Sequence, residues 1–550
     1  MKKYSTLFTV VITILLVALL TWILPITYLN GELIEAERSQ VGLINLFAYS
    51  SLTFYNFIYV FLYILGIGGM YGLLNKTGAY RLILERVSAR VKERKVISLI
   101  LTVLILSVIV SFTGFTFEAL IILPFIAGII LLLGYDKMTA AMVTIGSVSV
   151  GVIGTTFSKL VAGSFNEIVK TSYTDLIWVK VALLLIGAGI LIFNIIRHVK
   201  KEEFEKETKE TFLLPEKESN RKIKVWPLAT ILICFLSLLV LGTVDWEGAL
   251  NVTLFSNINN TVMGWRVLSK YVILTISALV IIYNVVMSFI KRKKAPKKST
   301  EFMSKKRLIV TIIFGAFAFL ALLKVMLEDV FNATRFMSSI LEAIKLDGII
   351  NGFTFGLLFG NIQAFGSWTY NDYFIVMLLA CLAIKFTYRI KLTDMLEDIG
   401  GGFKHALYAA IVCMLTYTIL IITSGHPVIL TMLKPLLNAT EGLHILWYPI
   451  CTFVSALCNT DFTYYQYGVL NLTYATTYFT SANIYPLCEL ITQCMYGFAL
   501  MIAPTSVVLI GSLSLLEIRY TKWLKKMWLP MLEILLVIFV SFIIVLQFLV

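Results

Sequence analysis

The sequence predicts an all-α polytopic membrane protein folded as an inverted-topology repeat, with about 11 spans, two re-entrant hairpins and two broken helices. Three observations predict it. Of 550 residues, 59% are hydrophobic and 14% charged, a composition too apolar for a set of soluble domains. The net charge of +14 collects between the apolar runs, as the bias of Lys and Arg toward cytoplasmic loops requires, and that placement argues against a nucleic-acid partner. Two apolar runs are also interrupted. Ser147 to Ser164, SVSVGVIGTTFSKLVAGS, carries Gly151, Gly154, two threonines and Lys159, and a later run is broken by Ala503-Pro504-Thr505-Ser506. Irregular backbone at membrane depth survives only where protein or a watery cavity satisfies its amide groups, so paired interruptions in two halves point to a binding site.

Taken in order, Thr6 to Tyr28 is long enough to cross a core of roughly 30 Å, outward from a cytoplasmic N-terminus carrying Lys2 and Lys3. It exceeds the apolar region of a signal peptide and no small-residue cleavage site follows, so it reads as a retained span. Gly31 to Ser51 is interfacial and Phe54 to Leu74 returns inward. Arg81 to Lys95 is strongly basic and reads as an amphipathic surface helix. From Val96 to Gly134 two apolar arms flank Ser111 to Glu118, each short for a crossing. A re-entrant hairpin is expected because its tip would bring Thr113, Gly114, Thr116 and Glu118 to mid-membrane; two full spans would leave the same sidedness. Lys137 to Val169 is the first broken span and Leu176 to Ile196 follows it inward.

Residues 1–197 thus form the first repeat, 198–224 a charged cytoplasmic linker of mixed sign, and 225–370 additional spans and connecting arms. Residues 371–550 form the second repeat, with Ile445 to Tyr478 as an outer hairpin around Asn459, Thr460 and Asp461, and Tyr485 to Leu516 as the second broken span. Sidedness read from loop charge alone starts the two halves on opposite faces, so the inversion is a result rather than an assumption. The seven cysteines make no CxxC pair, and the four histidines have no metal-ligand spacing; no metal site and no cofactor is expected. No GxxxxGK[ST] loop is present, which disfavours a primary pump, and no interfacial constellation suggests an enzyme.

Several motifs, TWILP at Thr21, IGGMYGLLNKTGAY at Ile67, Gly134-Tyr135-Asp136, GxxGTT at Gly151, GSWTYND at Gly366, and APTS with YTKWLK at Tyr520, share the order of a known family. The chain resembles the ion-transporter superfamily of secondary carriers, most closely the YfcC-like branch of C4-dicarboxylate or basic amino acid carriers. That resemblance implies a homodimer in which a mobile transport domain of two hairpins and two broken helices moves against a fixed scaffold, an elevator-type transporter. It also implies that Gln493, Gly497, Phe498, Pro504, Thr505 and Ser506 keep the family's second break, with Tyr496 and Leu500 in place of its Asp and Asn. In the first break the family's Gly-Ser-Thr-x-Asn-Pro becomes Gly154-Thr155-Thr156-Phe157-Ser158-Lys159, Lys standing for proline. The acidic pair of the first hairpin is here Phe117 and Glu118, and Asn459-Thr460-Asp461 replaces a Ser/Gly-rich tip.

The candidate substrate- and ion-binding residues are therefore Thr113, Gly114, Thr116, Glu118, Gly154, Thr155, Thr156, Ser158, Lys159, Asn459, Thr460, Asp461, Gln493, Thr505 and Ser506. The threonine and serine hydroxyls are either ordinary helix hydroxyls bonded one turn back or ligands exposed by the breaks. Lys159 either snorkels to an interface or faces a cavity. There it would contact an anionic substrate, stand in for a transported sodium, or pair with Glu118 in a proton relay. Glu489 and Gln493 share a helix face. The expected activity is secondary transport of a small organic ion, a carboxylate or amino acid, coupled to Na+ or H+ across a bacterial plasma (inner) membrane. The alternatives are a cation/proton antiporter without organic substrate and a non-transport membrane subunit.

Overall fold

The computed structural model describes residues 4–24, 27–29, 32–34, 40–158, 161, 171–173, 175–201, 212–215, 223–244, 275–288, 308–315, 318, 365–366, 368, 370–426, 428–429, 431–433, 444–458, 461–462, 465 and 484–549. Among these, nine helices are long and apolar enough to cross a membrane, and the chain is an all-α polytopic membrane protein. Its only regular strands among the described residues are the small antiparallel pair Thr27–Leu29 and Glu32–Ile34. Met1–Val244 with Trp368–Val550 form one unit and Asp245–Ser367 another; the latter falls inside the 225–370 stretch of additional spans.

In the larger unit α1 is Ser5–Ile23, α2 Leu43–Lys76, α3 Ala79–Val91, α4 Lys95–Thr113, α5 Leu123–Leu132, α6 Lys137–Ile153, α7 Ile177–Lys201 and α8 Trp226–Thr243. The smaller unit contributes the apolar helix α9, Thr275–Ser288. The larger unit resumes with α10 Tyr370–Tyr388, α11 Leu392–Gly425, α12 His444–Cys458, α13 Tyr485–Ile502, α14 Val507–Leu515 and α15 Tyr520–Leu549. Helices α13 and α14 together bury 83% of their most apolar window and α11 buries 72%, against 33% for α1 and α15. The first group is central, and the second turns side chains such as Phe8, Leu16, Leu19 and Ile543 outward, as a lipid-facing rim does.

Where the sequence suggests an interfacial arm ending at Ser51 and a span from Phe54, the backbone runs as one 34-residue helix, α2, with non-helical dihedrals at Phe57 (φ −121°, ψ 23°). No glycine or proline occurs between Leu43 and Leu65 to stop it. Helices α2 and α11 cross closely. A Cβ on Gly72 would stand 2.8 Å from the Gly402 backbone, and one on Gly402 would overlap the Gly68 carbonyl. Absent side chains on both helices let the backbones meet, as small residues do in membrane packing. Helix α3 is amphipathic as expected, burying Ala79, Tyr80, Ile83 and Leu84 and exposing Arg86 and Arg90. Part of the linker is docked rather than solvated. Leu213 and Leu214 are 4% exposed, Asn75 donates to the Phe212 carbonyl at 3.0 Å, and Arg81 donates to the Pro215 carbonyl at 3.2 Å.

The entry to α6 shows how polar ends are fixed. Asp136 caps the helix, accepting from the Thr139 amide at 2.8 Å and hydroxyl at 2.6 Å, with His198 of α7 at 3.4 Å. Burial pushes this carboxyl up, but the hydrogen bonds from His198 and Thr139 outweigh it and hold the pKa down at about 2. A depressed carboxyl stabilises the fold above its unfolded pKa of about 3.9 and loses that contribution as pH falls through the folded value. Asp136→Asn should therefore be less stable than wild type by about 1–2 kcal/mol at neutral pH. The gap should close between pH of about 4 and about 2, read as the difference in unfolding in detergent.

Candidate functional site

The ends of α4 and α12 are hydrogen-bonded to two helix breaks. Helix α4 ends at Gly114, whose left-handed backbone (φ 70°) is the usual glycine stop. The chain then turns through Phe115 and Thr116 into the 3-10 turn Phe117–Ile121 and α5. Helix α6 ends at Ile153, and its continuation pairs with the end of α4. The Thr156 amide donates to the Ser111 carbonyl at 2.9 Å, Ser111 Oγ donates to the Gly154 carbonyl at 2.6 Å, and Ser158 Oγ donates to the Thr113 carbonyl at 3.0 Å. At the second break, between α13 and α14, Thr505 Oγ1 donates to the carbonyl of Leu457, near the end of α12, at 2.8 Å. The first break is thus held by α4 and the second by α12.

The helices before the breaks, α6 and α13, pack on each other. Ser149 Oγ donates to the Gly497 carbonyl, and Gln493 Nε2 donates to the carbonyls of Ile153 at 3.0 Å and Thr155 at 3.4 Å. Freed carbonyls at the second break are taken by Ser506 Oγ (Leu500, 3.0 Å), Trp523 Nε1 (Met501, 2.9 Å) and the Tyr520 hydroxyl (Ile502, 2.5 Å). This assigns a structural reason to YTKW: its aromatic donors satisfy the open end of α13. The carbonyls at both breaks are therefore held by protein donors, the condition for irregular backbone at membrane depth.

Two carboxylates also come together, one after each of these helix ends. Glu118 is 2% exposed and accepts from the Thr116 amide at 2.8 Å, while Tyr63 donates to its backbone carbonyl at 2.9 Å. Asp461 is 8% exposed and accepts from the hydroxyls of Tyr417 at 3.1 Å and Tyr59 at 3.5 Å. The two carboxylates interact electrostatically. Tyr496, packed face to face with Tyr465 at 5.2 Å, bonds Thr116 and senses both charges. The first hairpin tip is buried against α14, where Leu120 lies against Gly511. Of the tyrosines, Tyr465 supports the second break's helix by donating to the Thr492 carbonyl at 3.0 Å.

Ser111, which is not among the candidates, bridges α4 to the break; of the candidates, Thr116, Glu118 and Asp461 come together, as do Gly154, Thr155, Thr156, Ser158 and Gln493. Thr113 Oγ1 bonds the Ile109 carbonyl one turn back at 2.8 Å, and Thr155 Oγ1 the Gly151 carbonyl at 3.4 Å. Ser506 caps α14, accepting from the Leu509 amide at 3.3 Å. Lys159, Asn459 and Thr460 lie outside the described residues. The sequence reading also missed Lys180, whose signal is plain in retrospect: a lysine inside the apolar run IWVKVALLL of α7. It forms a 2.7 Å ion pair with Glu489 of α13. An apolar cavity of about 220 Å³ between α4, α5 and α8, lined by Leu106, Phe115, Phe125 and Leu239, offers no polar complement for an ion. Among the described residues no His, Cys, Asp and Glu cluster suits a metal.

A family model described as "DcuC: C4-dicarboxylate anaerobic carrier" matches residues 4–326 and 490–548, which takes in the first hairpin, the first break and the second break. The chain belongs to this carrier family. Its members are transporters, so the protein is a multi-pass membrane carrier and not an enzyme. No curated protein and no solved structure matches the chain. The stretch with α12 and Asp461 falls between the matched segments.

Proposed function

We propose that this carrier is a secondary active transporter of a C4-dicarboxylate, within or near the YfcC-like branch of the ion-transporter superfamily. It works by elevator-like alternating access in a bacterial plasma membrane, as a homodimer with a cytoplasmic N-terminus. The observation that carries the reading is the pairing of two hairpin ends with two helix breaks around buried polar groups, the arrangement that secondary carriers place at their substrate site. The family's name supplies the substrate class. Glu118 and Asp461 are the groups for the coupling cation, Na+ or H+, because two buried carboxylates facing one another are stable only when a cation or a shared proton offsets their repulsion. The family's description favours this over a carrier of amino acids, which the same test addresses.

In liposomes, the purified protein should take up labelled succinate, fumarate or malate saturably, with mutual competition, when an inward Na+ or proton gradient is imposed. Glu118→Gln should lower gradient-driven accumulation by about 10-fold, a step worth about 1.4 kcal/mol. Uptake of a basic amino acid with no competition by any dicarboxylate would replace the substrate class.

A further inference from the structure

The Lys180–Glu489 pair is fully inside the protein, its side chains 0% and 2% exposed. Among the described residues Lys180 is the only buried lysine or arginine. Burying such a pair seldom adds stability over apolar residues of similar size, and ionisable groups inside membrane helices mark substrate or proton routes. Its position supports that reading. A Cβ on Gly154 would stand 2.9 Å from the Lys180 carbonyl and 2.5 Å from Leu184 Cβ, so α7 lies directly on the first break. One turn beyond Glu489, Gln493 holds the Ile153 and Thr155 carbonyls through Nε2. Its Oε1, in a side chain 1% exposed, has no hydrogen-bond partner among the described residues. A buried acceptor left empty is costly, and this one lies on the same helix face as the Glu489 carboxyl.

We propose that Lys180 is the seat for one carboxylate of the substrate, and that Glu489 occupies this seat until it takes up a proton. The inference rests on the dicarboxylate reading above. With no substrate bound, the ammonium and the Glu489 carboxylate neutralise each other. Glu489 then binds one proton from solution, its ion pair opens, and the new O–H donates to Gln493 Oε1, four residues along. A substrate carboxylate replaces it at Lys180. Charge balances: one proton enters for each carboxylate seated, and the pocket stays neutral. The groups facing Glu489 are Lys180, Thr171 and Asp175 from α7 and the residues before it. Cys488 and Cys494 lie on its own helix, and Tyr448 and Cys451 on α12, Tyr448 reaching Thr492 at 2.9 Å. From helix α6 comes the Ser149 hydroxyl, which bonds the Gly497 carbonyl, while its one charged residue, Lys137, stands at the helix start beside Glu517, and the α15 donors Tyr520 and Trp523 sit at the far end of α13.

The test measures proton uptake with a pH dye, and succinate affinity by thermal shift, on the full-length carrier in weakly buffered detergent. Wild type should take up one proton per succinate bound, and its affinity should fall about tenfold per pH unit on the alkaline side, as a single linked proton demands. Glu489→Gln should bind succinate with no such slope and one proton fewer, while Gly189→Ala, where nothing lies within 4 Å of a built Cβ, keeps the slope. Should Glu489→Gln fail to fold, Glu489→Asp decides: its retracted carboxylate competes less well, so the affinity profile should shift to higher pH. Succinate binding without proton uptake, or a slope unchanged in Glu489→Gln, or an unshifted Glu489→Asp profile, overturns this inference alone. Failure of wild type to bind any C4-dicarboxylate overturns the substrate reading and the inference with it.

Discussion

Gly114→Val should abolish transport and lower the stability of the hairpin by about 2–5 kcal/mol. Two independent costs add. The residue sits at φ 70°, a conformation costing roughly 1–2 kcal/mol for an L side chain and more for a β-branched one. Any Cβ there would also overlap the Ser158 hydroxyl and stand 2.8 Å from Ser158 Cβ and 3.0 Å from Val161 Cγ2, so the zipper between α4 and the first break must open. Gly114→Ala combined with Ser158→Gly should recover the steric part and keep the backbone part. The matched control is Gly189 in α7, where nothing lies within 4 Å of a built Cβ; Gly189→Ala should be neutral or stabilising by up to about 1 kcal/mol. Unfolding in detergent and uptake in liposomes read both quantities. A Gly114→Val protein with wild-type stability and flux would show that the zipper has no role.

Lys180→Met should destabilise the protein by about 3–5 kcal/mol, because it strands the Glu489 carboxylate in a site 2% exposed. The double variant Lys180→Met with Glu489→Leu should recover most of that loss, and should even exceed wild type if packing is good. Recovery of stability without recovery of transport is the expected outcome of the cycle, since an apolar pair fills the same space but cannot exchange one carboxylate for another. A double variant as unstable as the single one would mean that the pair's worth lies in packing geometry rather than charge.

Much of this fold was legible in the chain. Apolar runs and basic loops marked α1, α4 and α7 to within about five residues, because the bilayer imposes length and the cytoplasm attracts Lys and Arg. The breaks at Gly154 and at Ala503 to Ser506 were equally visible, since glycine and proline interrupt helices by their own covalent geometry. The continuous course of α2 was not visible, because nothing local distinguishes an interfacial helix from the span it joins. Among the site groups, Glu118, Asp461 and Gln493 stood out as polar residues in apolar surroundings. Lys180 stood out no less, but its meaning depends on Glu489, 309 positions away.

By itself, then, the sequence determined that this protein is a multi-pass helical membrane carrier, which stretches are apolar and long enough to cross, and where two helices must break. These follow from the solvent and from covalent geometry, and both act locally. Only the tertiary structure decided which partners each break has: α4 against Gly154 to Ser158, α12 against Thr505, Tyr520 and Trp523 on the open end of α13, and Glu118 within the electrostatic reach of Asp461. The physical reason is that every polar group freed at membrane depth must find a donor or acceptor within about 3 Å. The obligation can be read from sequence, but the residue that meets it is chosen by how the helices pack.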